Sequence, residues 1–344
     1  MTSQEQKGGI GSTNVQVGTV TVGMSYSEVK DLATMVFNEN AAQLRNQAAE
    51  VAGKRVEDLR ESLVEYLKKK NIEDLNGFKH PEKQIALLDA QKAYALSGDA
   101  DLRNMLIDSI ANLAKEPERS LKSIVLQEAI KAMPSLTHRQ LKALSIAFMV
   151  RMVSFNAIIR PDQIFSVYEQ GLGGISDLDH LTDGDFRHLE YCRCGMVELG
   201  AVSFSHALTQ TYPGLYMKGL TGDAMLAAFG TVPFAPRAVA PSFWDENKFQ
   251  IAGPNETFIR LVAESLGLTE EQTRVSCDIM RKNTMSEDEL RATVPALSET
   301  AAKIFDKWDN TSLKSLKLTS VGIAVAHSFC VANGLQLADL SIWI

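Results

Sequence analysis

From residue 25 onward the chain alternates apolar and polar positions with the period of helices. Ser25-Tyr26-Ser27-Glu28 sets a serine at a helix N-cap and a glutamate three residues on, so that each can satisfy a first-turn amide. Apolar residues follow at Phe37, Ala41, Leu44, Ala48 and Val51, slip by one position, and resume at Val56, Leu59, Leu63 and Tyr66. The spacing predicts one helix to about Lys70. Its narrow, alanine-rich stripe suits a coiled-coil seam or packing on a body. Further helices are predicted over Glu82 to Leu96, Asp101 to Lys115 and Glu118 to Met133, where Pro134 stops the pattern. Another runs from the capping box Thr137-His138-Arg139-Gln140 to about Asn156, and a shorter one spans Gln163 to Gln170.

Gly171-Leu172-Gly173-Gly174 punctuates the chain, and a domain boundary is expected there. Beyond it the texture is mixed. Thr182 to Arg193 reads as helix, Met196 to Leu199 as a short strand, and Ser205 to Thr211 as helix. The stretch from Gly230 to Pro254 carries several prolines and little helical period. Helices are expected again over Glu256 to Leu266, after Thr269 and Ser286, and near Leu316 to Asn333, before a terminal strand at Leu340 to Ile344. The expected fold is mainly α: an N-terminal β or amyloid-like motif over residues 1–25, a long helix and helical bundle over 26–174, and a smaller, mostly helical α+β region over 175–344.

The segment before the first helix has the opposite pattern. Val15 and Val17 fall on one face of an extended strand with Gln16 on the other, and Val20 and Val22 alternate in the other parity, so the chain turns at Gly18-Thr19. Neither strand can build a core alone. Stacked on identical copies, the valines would form a dry seam and Gln16 an amide ladder. An unstructured tail or an edge strand of the body satisfies the same residues. The tetrad Val15-Gln16-Val17-Gly18, flanked by glycines and supported by Val20 and Val22, resembles the centre of the RIP homotypic interaction motif in its bacterial versions. The resemblance covers about the first 25 residues. It implies amyloid-like assembly with itself or with another protein bearing such a motif, in antiphage defence or regulated cell death.

Composition narrows the rest. A chain of 344 residues with 45% hydrophobic content can bury a large core, and a formal charge of -7 with no long basic run argues against nucleic acid as the main partner. Four scattered cysteines and a polar N-terminus point to the cytoplasm. The apolar stretch from Ile146 to Ile159 is interrupted by Arg151 and is short for a membrane span, so it reads as a core helix. Candidate chemistry is sparse. His188 and Cys192 share a helical face at i and i+4, near His180, Cys194 and His206, but no second Cys pair completes a zinc site. Arg193 beside Cys192 would lower the thiol's pKa. Asp177, Asp179, Asp183 and Asp185 supply oxygens without calcium-loop spacing. No cofactor is expected. The favoured reading is a signalling or effector protein that self-assembles. The alternatives are an enzyme with a metal-dependent site after Gly174, with Asp183 and Asp185 as its acids and a nuclease-like or nucleotide-handling activity, and a membrane-perturbing effector.

Overall fold

The computed structural model describes residues 26–72, 76–155 and 157–344. The tetrad Val15 to Gly18, the supporting Val20 and Val22, and the N-cap Ser25 lie outside the described residues. The protein is mainly helical, with two small antiparallel sheets among the described residues.

The first helix, α1 (Tyr26–Lys69), is one continuous element, and the chain divides into two compact units after Gly53, inside it. In the first unit Tyr26, Val29, Met35, Val36 and Val51 are exposed. In the second unit α1 buries Leu59, Leu63 and Leu67 at four-residue spacing, which places one side chain above the next on a single face.

That face joins α2 (Pro81–Ser97), α3 (Ala100–Lys115), α4 (Leu121–Ala132) and α5 (His138–Met152) around α14 (Ser320–Ala332). Helix α14 has no lysine, arginine or carboxylate, and it is buried from Gly322 to Cys330. A helix apolar all round belongs at the centre of a bundle, and α14 packs against α3, α4 and α5. A hydroxyl pair, Ser109 Oγ to Ser328 Oγ at 2.9 Å, joins α3 to α14 within the core. Helix α5 is buried from Gln140 to Val150, so the apolar stretch is core. It ends four residues short of the predicted Asn156, because the Phe155 amide donates to the Tyr212 hydroxyl (2.8 Å) instead of continuing the helix.

Helix α6 (Pro161–Gly171) stops where Gly173 and Gly174 take positive φ of 60° and 96°, a conformation glycine adopts without steric cost. The expected boundary at Gly174 falls inside a continuous core: Ile164, Phe165 and Leu172 before it share one apolar cluster with Leu178 and Phe186 after it. Helix α7 (Asp183–Tyr191) leads to β1 (Gly195–Val197), which pairs antiparallel with β4 (Leu316–Leu318) in the register Met196 opposite Lys317. The predicted last helix thus begins later, because its first residues form β4.

After α8 (Phe204–Thr211) comes an insertion with its own core. It contains α9 (Gly222–Phe229), the pair β2 (Val239–Pro241) and β3 (Phe249–Ile251), α10 (Glu256–Leu266) and α11 (Glu270–Lys282), around Met217, Met225, Phe229, Ile251, Ile259 and Met280. Entry and exit meet in an antiparallel bridge between Met217 and Thr284, flanked by Lys218 N–H to Asn283 O and Met285 N–H to Tyr216 O, both 2.8 Å. Two more helices, α12 (Glu287–Thr293) and α13 (Glu299–Asn310), return the chain to the main core, α13 through Ala301, Ile304, Phe305 and Trp308.

The C-terminus corrects the sequence expectation. Leu340–Ile342 form a 3₁₀ turn, not a strand. Leu340 packs inward, Ile342 is exposed, and the Trp343 indole donates to Met152 O (2.8 Å). The inward residues are three apart, the period of a 3₁₀ turn.

Candidate functional site

Two titratable side chains, one on α3 and one on α14, sit in the apolar centre of the bundle. Asp108 sits in α3 between Ile107 and Ser109, and His327 sits in α14 between Ala326 and Ser328. Both are about 5% exposed or less. The Tyr66 hydroxyl of α1 donates to Asp108 Oδ1 at 2.7 Å, and the Ser328 hydroxyl donates to Oδ2 at 3.1 Å. Burial, and then the Asp108 charge, raise the Tyr66 pKa well above that of a free phenol, so this proton stays in place. Among the described residues no cationic side chain pairs with Asp108, an unusual state for a buried carboxylate.

His327 Nε2 lies 3.0 Å from the carbonyl oxygen of Ala338. A carbonyl only accepts, so Nε2 carries a proton, and in the neutral ring Nδ1 is then an acceptor. That Nδ1 is buried and has no partner among the described residues. The ring is held edge to face with Phe148 (6.3 Å between centroids) and tilted against Trp343 (5.7 Å).

Asp108 and His327 line a cavity of about 430 Å³ bounded by α1, α3, α14 and residues 335–340. A second cavity of about 310 Å³ adjoins it and shares Tyr66, Asp108 and Val331. Asn112, Gln336, Lys70 and Lys115 line the first cavity, with Ile72, Leu335 and Leu337 as apolar wall. Both lysines are exposed and have no carboxylate partner among the described residues. Lys70 Nζ stands 5.6 Å above the Tyr66 ring. Asp339 anchors the C-terminal wall through Lys122 (2.7 Å), which also meets Glu116 (2.9 Å). Lys122, then the Ser341 hydroxyl and amide, hold the Asp339 carboxyl well below the usual carboxylate range. The chamber combines acceptors at its floor with cations and amides at its rim.

The residues singled out from sequence lie elsewhere. Helix α7 does bring Cys192 Sγ to 3.7 Å from His188 Nε2. The other His188 nitrogen faces Gln140 Oε1 at 3.2 Å, Cys194 Sγ turns to the Cys192 carbonyl at 3.5 Å, and His180 and His206 are exposed. Burial raises the Cys192 pKa, which corrects the expectation that Arg193 would lower it. The aspartates face separate cations: Asp177 meets Lys142 (3.1 Å), Asp179 meets Lys303 (2.7 Å) and Asp185 meets Arg139 (3.0 Å). Asp185 also closes the α7 capping box with Thr182, while Asp183 is exposed in the first turn. A closer set of possible metal ligands is Asp99, Asp101 and His138, in which His138 Nε2 lies 2.8 Å from Asp99 Oδ2. The sequence reading missed both Asp108 and His327. The available signal was a polar residue inside an otherwise apolar helical run.

A protein-family model described as ":-like" matches residues 23–344. The chain belongs to that family. The match begins after the tetrad and takes in all the described residues, so the family is defined by the helical body. No curated protein and no solved structure matches the chain.

Proposed function

We propose that the protein is a signalling or effector protein that assembles through its N-terminal tetrad, with itself or with a partner bearing a similar motif. The observation that carries this reading is the sequence Val15-Gln16-Val17-Gly18 with Val20 and Val22 behind it, just ahead of a helix that starts at Tyr26. The exposed Val29, Met35 and Val36 on the first part of α1 support it, since they offer further apolar surface to another copy. Through the motif's resemblance to bacterial homotypic motifs, the setting is antiphage defence or regulated cell death in the cytoplasm.

The metal-dependent alternative has less support. Asp177, Asp179 and Asp185 are each taken up by a different basic residue and do not converge on a common centre. The membrane-perturbing alternative draws nothing from length and hydropathy: among the described residues no helix is long and apolar enough to cross a membrane.

Replacing Val15-Gln16-Val17-Gly18 by four alanines tests the proposal. The variant is expected to lose thioflavin-positive assembly and cellular activity while keeping its helical circular dichroism. Full activity in this variant would remove the basis of the reading.

A further inference from the structure

We propose that the cavity between α1, α3, α14 and the C-terminal segment binds a small zwitterion, an apolar amino acid or dipeptide. Its ammonium would lie on the Asp108 floor and its carboxylate would face Lys70 and Lys115. The argument starts from the uncompensated floor. A buried carboxylate is ordinarily paired with a cation, because removing its charge from water is costly. Among the described residues Asp108 has only the hydroxyls of Tyr66 and Ser328, which donate hydrogen bonds but bring no charge. The second observation is independent: His327 Nδ1 is buried with no partner among the described residues, in a residue lining the same chamber. A carboxylate without a counter-charge beside an unsatisfied imidazole nitrogen calls for a donor-rich cationic group.

The rim has the opposite character. Lys70 and Lys115 have no acid of their own among the described residues, and Asn112 and Gln336 add amide donors. A carboxylate placed there gains charge-assisted hydrogen bonds from the lysine ammonium groups. Ile72, Leu335 and Leu337 supply an apolar wall for a side chain. The volume, about 430 Å³, lies within the range of small-molecule sites. A nucleotide fits the wall less well, for want of an aromatic face: Lys70 covers Tyr66, and Phe148 and Trp343 are packed on His327.

The site is in the body and does not depend on the tetrad, so the four-alanine variant should bind the ligand as the natural chain does. Calorimetric titration of the full chain with leucine, methionine, phenylalanine and dileucine is the test, with N-acetyl-leucine and leucine amide as probes of each end. One panel member is expected to bind with a stoichiometry of one. Acetylation should abolish binding of that ligand, and amidation should weaken it. Lys115→Ala is at an exposed position and should fold normally. It should weaken binding roughly tenfold, the weight of one charge-assisted hydrogen bond. Asp108→Asn should remove the requirement for a free amine, and if it fails to fold the acetylated probe and Lys115→Ala still decide the matter. No binding by any panel member would overturn the proposal. So would equal binding of leucine and N-acetyl-leucine, or unchanged affinity in Lys115→Ala and Lys70→Ala alike.

Discussion

All four cysteines are free thiols, and burial raises the pKa of each, that of Cys194 and Cys330 to about 12. A thiol is nucleophilic only when ionised, so at mildly alkaline pH these groups stay protonated. Iodoacetamide should label the half-buried Cys192 slowly and spare Cys194, Cys277 and Cys330 until denaturant is added, which mass spectrometry can read site by site. Asp185 shows how a candidate catalytic acid can be structural. Burial pushes its carboxyl up, but the Thr182 amide and hydroxyl, with Arg139, outweigh that and hold it below its ordinary value. A depressed carboxyl stabilises the fold above the unfolded value near pH ~3.9 and ceases to as pH falls through the lower folded value. Asp185→Asn should therefore cost about 1–3 kcal/mol at neutral pH, and the deficit should shrink in urea titrations below about pH 4.

Helix α14 owes its central place to a small residue at a crossing. A Cβ on Gly322 would lie 1.7 Å from the Cys194 carbonyl oxygen, a backbone atom that cannot move aside without shifting β1. Gly322→Ala should cost at least about 1–3 kcal/mol by urea denaturation. The periodic helices were legible where capping and apolar spacing agree: the boxes at Thr137, Thr269 and Ser286 all form as their residues indicate. The terminal segment was not, since Leu340 and Trp343 pack by tertiary contact with α5 and α14 while the local residues read as a strand. The spacing of Ala301, Ile304, Phe305 and Trp308 in α13 was there to be read and went unread. The chamber was illegible for a different reason. Asp108 and Ser328 meet across 220 positions of chain, and no local pattern records which interior faces will be brought together.

On the scale of the molecule, the assembly proposed for the tetrad would compete with α1 for space. Stacked strands repeat every ~4.8 Å, whereas a bare helix is ~10 Å across, and α1 begins at Tyr26, four residues beyond Val22. A peptide of residues 1–25 is therefore expected to form longer fibres than the full chain under matched conditions, by electron microscopy. Equally long fibres from the intact protein would show that the crowding is relieved. The bridge between Met217 and Thr284 has a further consequence. Partners across an antiparallel bridge stand about 5 Å apart, so the polypeptide leaves and re-enters the bundle through what is nearly a single point. Such a module is genetically detachable: it can be acquired, lost or exchanged without rerouting the chain, because the gap it leaves is no wider than a tight turn. Excising residues 218–283 and joining the ends with Asn-Gly should leave a bundle that still melts cooperatively. Its midpoint should fall, because Trp244 no longer stacks on Tyr216, but the body should survive as a smaller protein.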